Sequence, residues 1–465
     1  MNASDVTGSC IYIVFNGKKI LLECGLHQSS SNSYLDSYKI NSEKFRFKPS
    51  EIDYIFLEHS HCDHSAMIPR LYKEGCKAKI ILNHETAVIT EALLRNCAFI
   101  LEDEARVLSK RYKRNYSPIY MEDDIEKTLD FFCEYNNYHM NYELDDTVSF
   151  QWLKNSHCPG ATQLVLTLRS DLKTKRILYT SDIGSMNTKN HYVENTEICD
   201  QYVDLAIMES TYGDNLRINK KTRDFDLEHL KVAINTTLEQ NGSIIMPAFS
   251  FARTQELLTN LYDIFHDDKS FTADVIVDSK LSCEISDLYF NILDKDNLRL
   301  WNKVTNWKNV KFINEKDESL ACVKDTTPKI VISSSGFCTN GRIISYLQEY
   351  LRDEKSMIVF SGYVGDNPSY LSYRIKNYKD HKNISINKKL IANRADCVNL
   401  TTFSSHANHN ELLTYGSNLN TNKLVLVHGS KESKETLAKE LKEKISQNNR
   451  TYKVRISERD MSILL

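Results

Sequence analysis

A chain of 465 residues exceeds what one hydrophobic core supports, so two domains, or one domain carrying a large insertion, are expected. Its 59 basic and 62 acidic side chains leave a formal charge of -3, which excludes a broadly basic chain; any contact with nucleic acid has to be confined to a local groove. Twelve cysteines scattered from Cys10 to Cys397 without a CxxC pair exclude a disulfide-stapled scaffold, and the apolar run Cys10–Phe15 is too short for a signal segment or a membrane span. A soluble, cytoplasmic protein with no membrane partner is the expectation.

Taken in chain order, "CIYIVF" and "KILLEC" read as two strands joined by the Asn16-Gly17 hairpin turn. The strand "YIFL" follows, then "AKIILN", then a helical pattern from about Ala87 to Arg114; "LVLTLR" and "RILYTSD" restore strand character. Beyond Glu209 strands and helices alternate: "SIIMPAF" before "RTQELLTNLYDIF", "DVIVDS" before "LSCEISDLYFNIL", "KIVISSSGF" before "GRIISYLQEYL", and finally "SMIVFSGYV". Repeated strand-then-helix units imply a parallel sheet flanked by helices. The last seventy or so residues return to "VNLTTFSSHA" and "KLVLVHGS", two strands that each end in a histidine. An α/β chain in which residues 209–395 interrupt a domain made of 1–208 and 396–465 explains this order better than two domains in tandem. The run "KRYKRNY", basic with interleaved tyrosines, follows the acidic "LEDEAR" and reads first as a solvated helix face, with an RNA-contacting patch as the minority alternative.

The chemistry concentrates in "LEHSHCDHSAMIP", where His59, His61, Asp63 and His64 stand within six residues behind an apolar strand. On an extended loop His59 and His61 point the same way and can meet one metal ion, while Asp63 and His64 are placed to meet a second. Zinc takes imidazole nitrogen at about 2.0–2.1 Å in a tetrahedral set, so no single ion uses all four groups and keeps room for substrate. Two Zn2+ ions are therefore expected. A lone histidine is more often structural than a ligand, and that bland reading holds for His27, His84, His139, His191, His229, His266, His381 and His409. The missing ligands should come from other strand ends: His157 in "NSHCPGA", Asp182 in "YTSDIGS" and His428 in "LVLVHGS". Alone, each could shape a turn or cap a strand. Together they complete a site with His59, His61 and His157 on one ion, Asp63, His64 and His428 on the other, and Asp182 bridging.

"HSHCDH", "SHCPGA", "TSDIGS", "ESTYGD", "FSSHANH" and "LVHG", in this order over nearly the whole chain, resemble the β-CASP branch of the metallo-β-lactamase superfamily, and most of all its RNA-cleaving members. The resemblance implies an αββα metallo-β-lactamase sandwich interrupted by an inserted β-CASP domain. Glu209 matches the family's acidic motif A, His406 its motif B and His428 its motif C; the first two are implied to form a hydrogen-bonded catalytic pair. Strand-end capping of Thr211 by Glu209 and a structural buried His406 are the alternatives. Histidine at motif C, where DNA-repair members usually carry valine, favours RNA. "KIVISSSGFCTNGRII" offers backbone N–H groups and a helix start to a phosphate and resembles the family's serine-glycine substrate loop, which makes Ser335 and Gly336 substrate-contact candidates. Ser404, two residues before His406, is a similar candidate.

The implied activity is hydrolysis of phosphodiester bonds in single-stranded RNA, leaving a 3'-hydroxyl and a 5'-phosphate. His406 would protonate the leaving oxygen, Glu209 would hold its tautomer and Asp63 would orient the attacking water. The endonucleolytic mode is preferred and a 5'-to-3' exonuclease is the alternative; family members often form homodimers. Two departures stand out: Glu23 in "LLECGLH" occupies the place of a usual aspartate that supports the metal site, and "SGYVGDNPSYLSYRI" lacks the Gly-Thr that often follows Gly-Tyr. Rival readings are a hydrolase of small esters, against which the inserted domain with Glu209 and His406 argues, and a silent RNA-binding scaffold, against which the full ligand set argues.

Overall fold

The computed structural model describes residues 7–27, 34–187, 190–214, 222–365, 368–378, 383–448, 450–458 and 461–464. His381 and residues Asp366 and Asn367 of the Gly-Tyr segment lie outside them. The chain divides into two compact units, one of residues Met1–Ser29, Ser33–Ile218 and Ser405–Leu465, the other of Ser30–Asn32 and Asn219–Ser404.

In the first unit two sheets stack face to face. The Ile11–Phe15 and Lys18–Leu22 strands form a hairpin in which Asn16 and Gly17 both take positive φ (48° and 78°), the geometry that a two-residue turn between right-twisted strands requires. Parallel strands Tyr54–Phe56, Lys79–Leu82 and Phe132–Glu134 extend this sheet to five. The second sheet has seven strands in the spatial order Lys453–Ile456, Lys423–Val427, Leu205–Glu209, Thr174–Tyr179, Thr162–Arg169, Val148–Lys154, Tyr142–Glu143. Alternation along each strand sends residues to both faces. Ile20, Leu22, Phe56 and Ile81 meet Phe150, Trp152, Leu164, Leu166 and Ile207 between the sheets. On the outer faces Leu21, Ile55 and Ile80 pack under helices that bring Leu71, Leu94, Leu101 and Ile125, while Leu178, Ala206, Met208, Leu424 and Leu426 pack under Leu412, Tyr415, Leu437 and Leu441. Each fully buried aliphatic side chain contributes roughly 1.5–3 kcal/mol. The result is the αββα sandwich.

The second unit is built on a six-stranded, all-parallel sheet in the order Val310–Ile313, Asp274–Asp278, Lys329–Ser333, Ile244–Pro247, Met357–Phe360, Asp396–Asn399, flanked by helices. Here a correction is needed: "VNLTTFSSHA" is not a strand of the first unit that runs into a histidine. Asp396–Asn399 pairs in parallel with Met357–Phe360, and a 3-10 turn at Thr401–Phe403 follows, because the Asp396–Asn399 edge finds its ladder partner in the inserted sheet. Likewise Glu209 closes a strand of the first unit, where Val427 is its register partner. Helices Arg223–Glu239 and Lys431–Gln447, unread from the sequence, complete the layers. No helix among the described residues is long and apolar enough to cross a membrane.

Candidate metal centre

Strand direction gathers the site. Lys18–Leu22 and Tyr54–Phe56 are parallel neighbours, and so are Thr174–Tyr179, Leu205–Glu209 and Lys423–Val427; the segments leaving their carboxyl ends carry Glu23, the His59–His64 cluster, Asp182, Glu209 and His428. His157 follows the Val148–Lys154 strand, which two antiparallel pairings return to the same direction. Glu23 (φ 59°), Ser181 (φ 51°) and His428 (φ 46°) adopt left-handed backbone, a strained choice for residues with a side chain that aims each strand exit at the site. Gly25 is dictated by close approach: a Cβ there would stand 1.5 Å from the Asp63 carbonyl oxygen.

Among the overlapping donor groups that result, two match the expected ligand sets. Donor atoms of His59, His61 and His157 lie within 4.8 Å of one another, and so do those of Asp63, His64 and His428. Asp182 reaches both: its Oδ2 is 3.9 Å from His59 Nε2, 3.7 Å from His157 Nε2 and 3.2 Å from His64 Nε2, and its Oδ1 is 3.1 Å from His428 Nδ1. His59 Nε2, His64 Nε2, His157 Nδ1, His428 Nε2 and Asp182 Oδ1 are buried without a hydrogen bond. Buried polar atoms are normally satisfied, and so many orphans in one cluster fit a bound cation.

The electrostatics agree. Burial pushes the His59 and His157 imidazoles down, and His61 to about 3, so these three are neutral lone-pair donors. Burial works the same way on the other two but is outweighed, at His64 by Asp182, Glu23 and Asp63 and at His428 by Asp182 and Asp63, so both imidazoles are held up. Burial would raise the carboxyls, yet the His428 and His64 imidazoles keep Asp182 well below the usual range, and Asp63 falls to about 2 beside His64 and His428. Protons thus sit where a divalent cation would serve the same carboxylates.

Glu23 explains its own substitution. Fully buried, it accepts from His64 Nδ1 (2.6 Å) and the Tyr179 hydroxyl (2.5 Å) on one oxygen and from the Ser181 hydroxyl (2.6 Å) on the other. Burial opposes its charge, but the His64 and His59 imidazoles hold it well below the carboxylate range. The extra methylene lets one carboxylate orient His64 while anchoring the strand that leads to Asp182. Glu23→Asp should therefore weaken zinc binding by about 10- to 100-fold, read by competition with a chromogenic chelator; an unchanged affinity would mean that His64 is oriented otherwise.

His406 Nδ1 donates to Glu209 Oε1 at 3.1 Å, and Glu209 also accepts from Ile183 N (2.7 Å) and Thr211 N (3.0 Å), so pairing and strand-end capping coexist. The His406 ring lies 4.6 Å from that of His157. Ser335, Gly336 and Ser404 belong to the second unit. There the Ser335 hydroxyl accepts from Thr339 N (3.0 Å), and a Cβ on Gly336 would touch the Phe249 ring.

Three residues went unread in the sequence. Asn155 Oδ1 accepts from His157 N and Gly184 N while its amide donates to the Asp182 carbonyl, tying two ligand loops together. Glu411 joins the helix behind His406 to the segment behind Asp182. Glu58 is buried with neither oxygen hydrogen-bonded, and burial together with Glu23 pushes its carboxyl up, so it stays neutral. An acid at an apolar strand end was the available signal for Glu58, and "HANHNE" reads as a helix start for Glu411. His409, expected to be structural, bridges the Gly213 carbonyl and Glu440.

With this geometry in view, the chain is a metal-dependent hydrolase of the β-CASP branch of the metallo-β-lactamase superfamily. Residues 254–368 match the Beta-Casp domain and residues 391–454 the Zn-dependent metallo-hydrolase RNA specificity domain. Among characterised relatives it is 26% identical over 445 residues to Ribonuclease TTHA0252 of Thermus thermophilus, covering 94% of each chain, and 26% identical to an RNase J-like protein of Methanocaldococcus jannaschii, covering 91% of this chain and 90% of that one. It is 25% identical to Cleavage and polyadenylation specificity factor subunit 3-I of Arabidopsis thaliana, where 92% of this chain spans 58% of the plant protein. The crystal structure of a protein of unknown function from Enterococcus faecalis V583 shares the fold across 100% of this chain and 98% of its own, at a TM-score of 0.52 and 15% identity.

Proposed function

We propose that the protein is a zinc-dependent endoribonuclease that hydrolyses phosphodiester bonds of single-stranded RNA at a two-ion centre. The observation that carries the reading is the pair of ligand groups sharing Asp182, with His406 beside them. His59, His61 and His157 would hold one zinc ion, Asp63, His64 and His428 the other, with Asp182 between. When bound, zinc supplies Lewis acidity toward phosphoryl oxygens and acidifies water.

The chain's own groups do the rest. Asp63, with its side chain about a quarter exposed, orients the attacking water. His406 donates a proton from Nε2 to the leaving ribose oxygen, and Glu209 Oε1, accepting from Nδ1, keeps Nε2 turned toward the reacting phosphate. Ser404, Ser335 and Gly336 are proposed to contact the RNA strand. The names of the relatives, ribonucleases of bacteria and archaea and a subunit of a polyadenylation factor, support RNA as substrate. All twelve cysteines are free thiols, in keeping with a reducing, cytoplasmic setting.

An end-labelled single strand, made as RNA and as DNA and resolved on a denaturing gel, tests this. Internal RNA fragments should appear with zinc-loaded protein, vanish with chelator and fall by about 10²- to 10⁴-fold in His406→Ala, whose zinc content stays at the wild-type level. Mononucleotides released from the 5' end would make it an exonuclease. Intact RNA with zinc bound would overturn the nuclease reading for that substrate.

A further inference from the structure

The metal-binding stretch contains a group that the reaction does not use. Cys62 sits between His61 and Asp63 as the first residue of the single-turn helix Cys62–Ser65, and it is partly exposed. Its Sγ lies 3.7 Å from Sγ of Cys97, a buried residue halfway along the helix His84–Tyr112. The two are 35 residues apart in sequence, and the fold alone brings them together.

We infer that Cys62 and Cys97 form a dithiol site for oxidants of the low-molecular-weight disulfide class, and that closing it loosens the metal centre. The inference rests on the reading above that His61 and Asp63 are zinc ligands. The chemistry balances as two exchanges. Cys62 Sγ, losing its proton as it reacts, attacks the oxidant RSSR, forming a Cys62–SR mixed disulfide and releasing one RS⁻. The Cys97 thiolate then attacks the Cys62 sulfur, forming Cys62–Cys97 and releasing the second RS⁻. The two cysteine protons end on the released thiols, so two thiols and RSSR become one protein disulfide and two RSH. Partial exposure lets Cys62 meet the oxidant, and the neighbouring Cys97 resolves the adduct.

The geometric consequence falls on the ligands. An S–S bond is about 2.05 Å long, so the sulfurs must close by roughly 1.7 Å. Cys97 is held by a 29-residue helix whose Leu94, Ala98 and Leu101 are in the core, whereas Cys62 belongs to one turn of helix with His61 at its N-cap. In the proposed closure the Cys62 turn, the shorter and less anchored of the two segments, takes up what side-chain rotation leaves. Metal–ligand distances tolerate only about 0.2 Å, and His61 and Asp63 are peptide-bonded to the residue that moves.

The test uses the zinc-loaded full chain incubated with oxidised glutathione, with peptide mapping under non-reducing conditions and zinc release followed by a chromogenic chelator. A peptide pair linked through Cys62 and Cys97 should form, zinc affinity should fall at least about tenfold, and dithiothreitol should reverse both. Cys97→Ser should accumulate glutathione on Cys62 without cross-linking. Cys62→Ala, the second variant should Cys97→Ser fold poorly, should keep its zinc throughout. Absence of the linked pair in the wild type, or a linked pair with all zinc retained, would overturn the inference. Neither readout involves RNA, so reduced protein that cross-links as expected but leaves RNA intact counts against the nuclease reading alone.

Discussion

Asp182→Ala should abolish RNA cleavage, lowering the rate by at least about 10³-fold, or roughly 4 kcal/mol of lost transition-state stabilisation. The two Asp182 oxygens meet both ligand groups on the open side of the imidazoles, whereas Glu23 meets His59 and His64 through Nδ1. Oδ2 approaches His59, His157 and His64, and Oδ1 approaches His428. On the two-ion reading, removing the carboxylate would take one ligand from each ion, and it withdraws the charge that holds the His64 and His428 imidazoles up. Zinc stoichiometry should drop in proportion. In the metal-free variant, the imidazole resonances of His64 and His428 should titrate at lower pH than in wild type, because burial is then less strongly opposed. The backbone is expected to survive, since the Asp182 carbonyl still accepts from the Asn155 amide and the Ile183 N–H still donates to Glu209 Oε1. Full zinc content in a folded Asp182→Ala protein would rule out the bridging role.

Glu411→Ala should cost about 2–4 kcal/mol of stability and, separately, lower kcat by about 10- to 100-fold with KM and zinc content unchanged. Glu411 is buried, and its Oε1 accepts from the Ser185 hydroxyl (2.6 Å), Met186 N (2.8 Å) and Asn187 N (3.1 Å) while Oε2 accepts from Asn408 N (2.9 Å). Asn408 returns a cap to Glu411 N, which closes a reciprocal box at the start of the His409–Asn418 helix. One carboxylate thus fastens the segment just after Asp182 to the segment just after His406, and Ala407 N, donating to the Ile183 carbonyl (2.7 Å), adds a backbone tie to the same seam. Alanine orphans several buried donors at once. Glu411→Gln keeps one acceptor oxygen but turns an amide toward one of the donors, so it should recover part of both losses. Urea unfolding gives the first quantity and single-turnover cleavage the second; a variant that loses stability but keeps kcat would reduce Glu411 to a structural clasp.

How legible was this site in the sequence? The HxHxDH cluster was readable because its members are two residues apart and a strand exit forces neighbours together. His157, Asp182 and His428 were readable for a related reason: Asp182 and His428 follow strands whose apolar runs announce them, and His157 precedes one. Glu411 was not, because the residues it serves lie 224 to 226 positions away and a helix-start glutamate looks ordinary in isolation. Cys97 was hidden in the same way, as one apolar-face cysteine in a long helix. The strand ending in Asn399 was assigned to the wrong sheet because a strand's own sequence states its periodicity and not its neighbour.

By itself, then, the sequence determined most of the element types, the candidate metal-ligand set and the existence of an insertion, since these follow from local periodicity and from short spacings between chemically distinctive side chains. Only the tertiary structure decided which sheet each strand joined, how the candidate ligand residues group about Asp182, what Glu23 reaches, and that Cys62 faces Cys97. Those are contacts between segments far apart in the chain, and they arise from burying both faces of two stacked sheets, a condition that no single segment encodes.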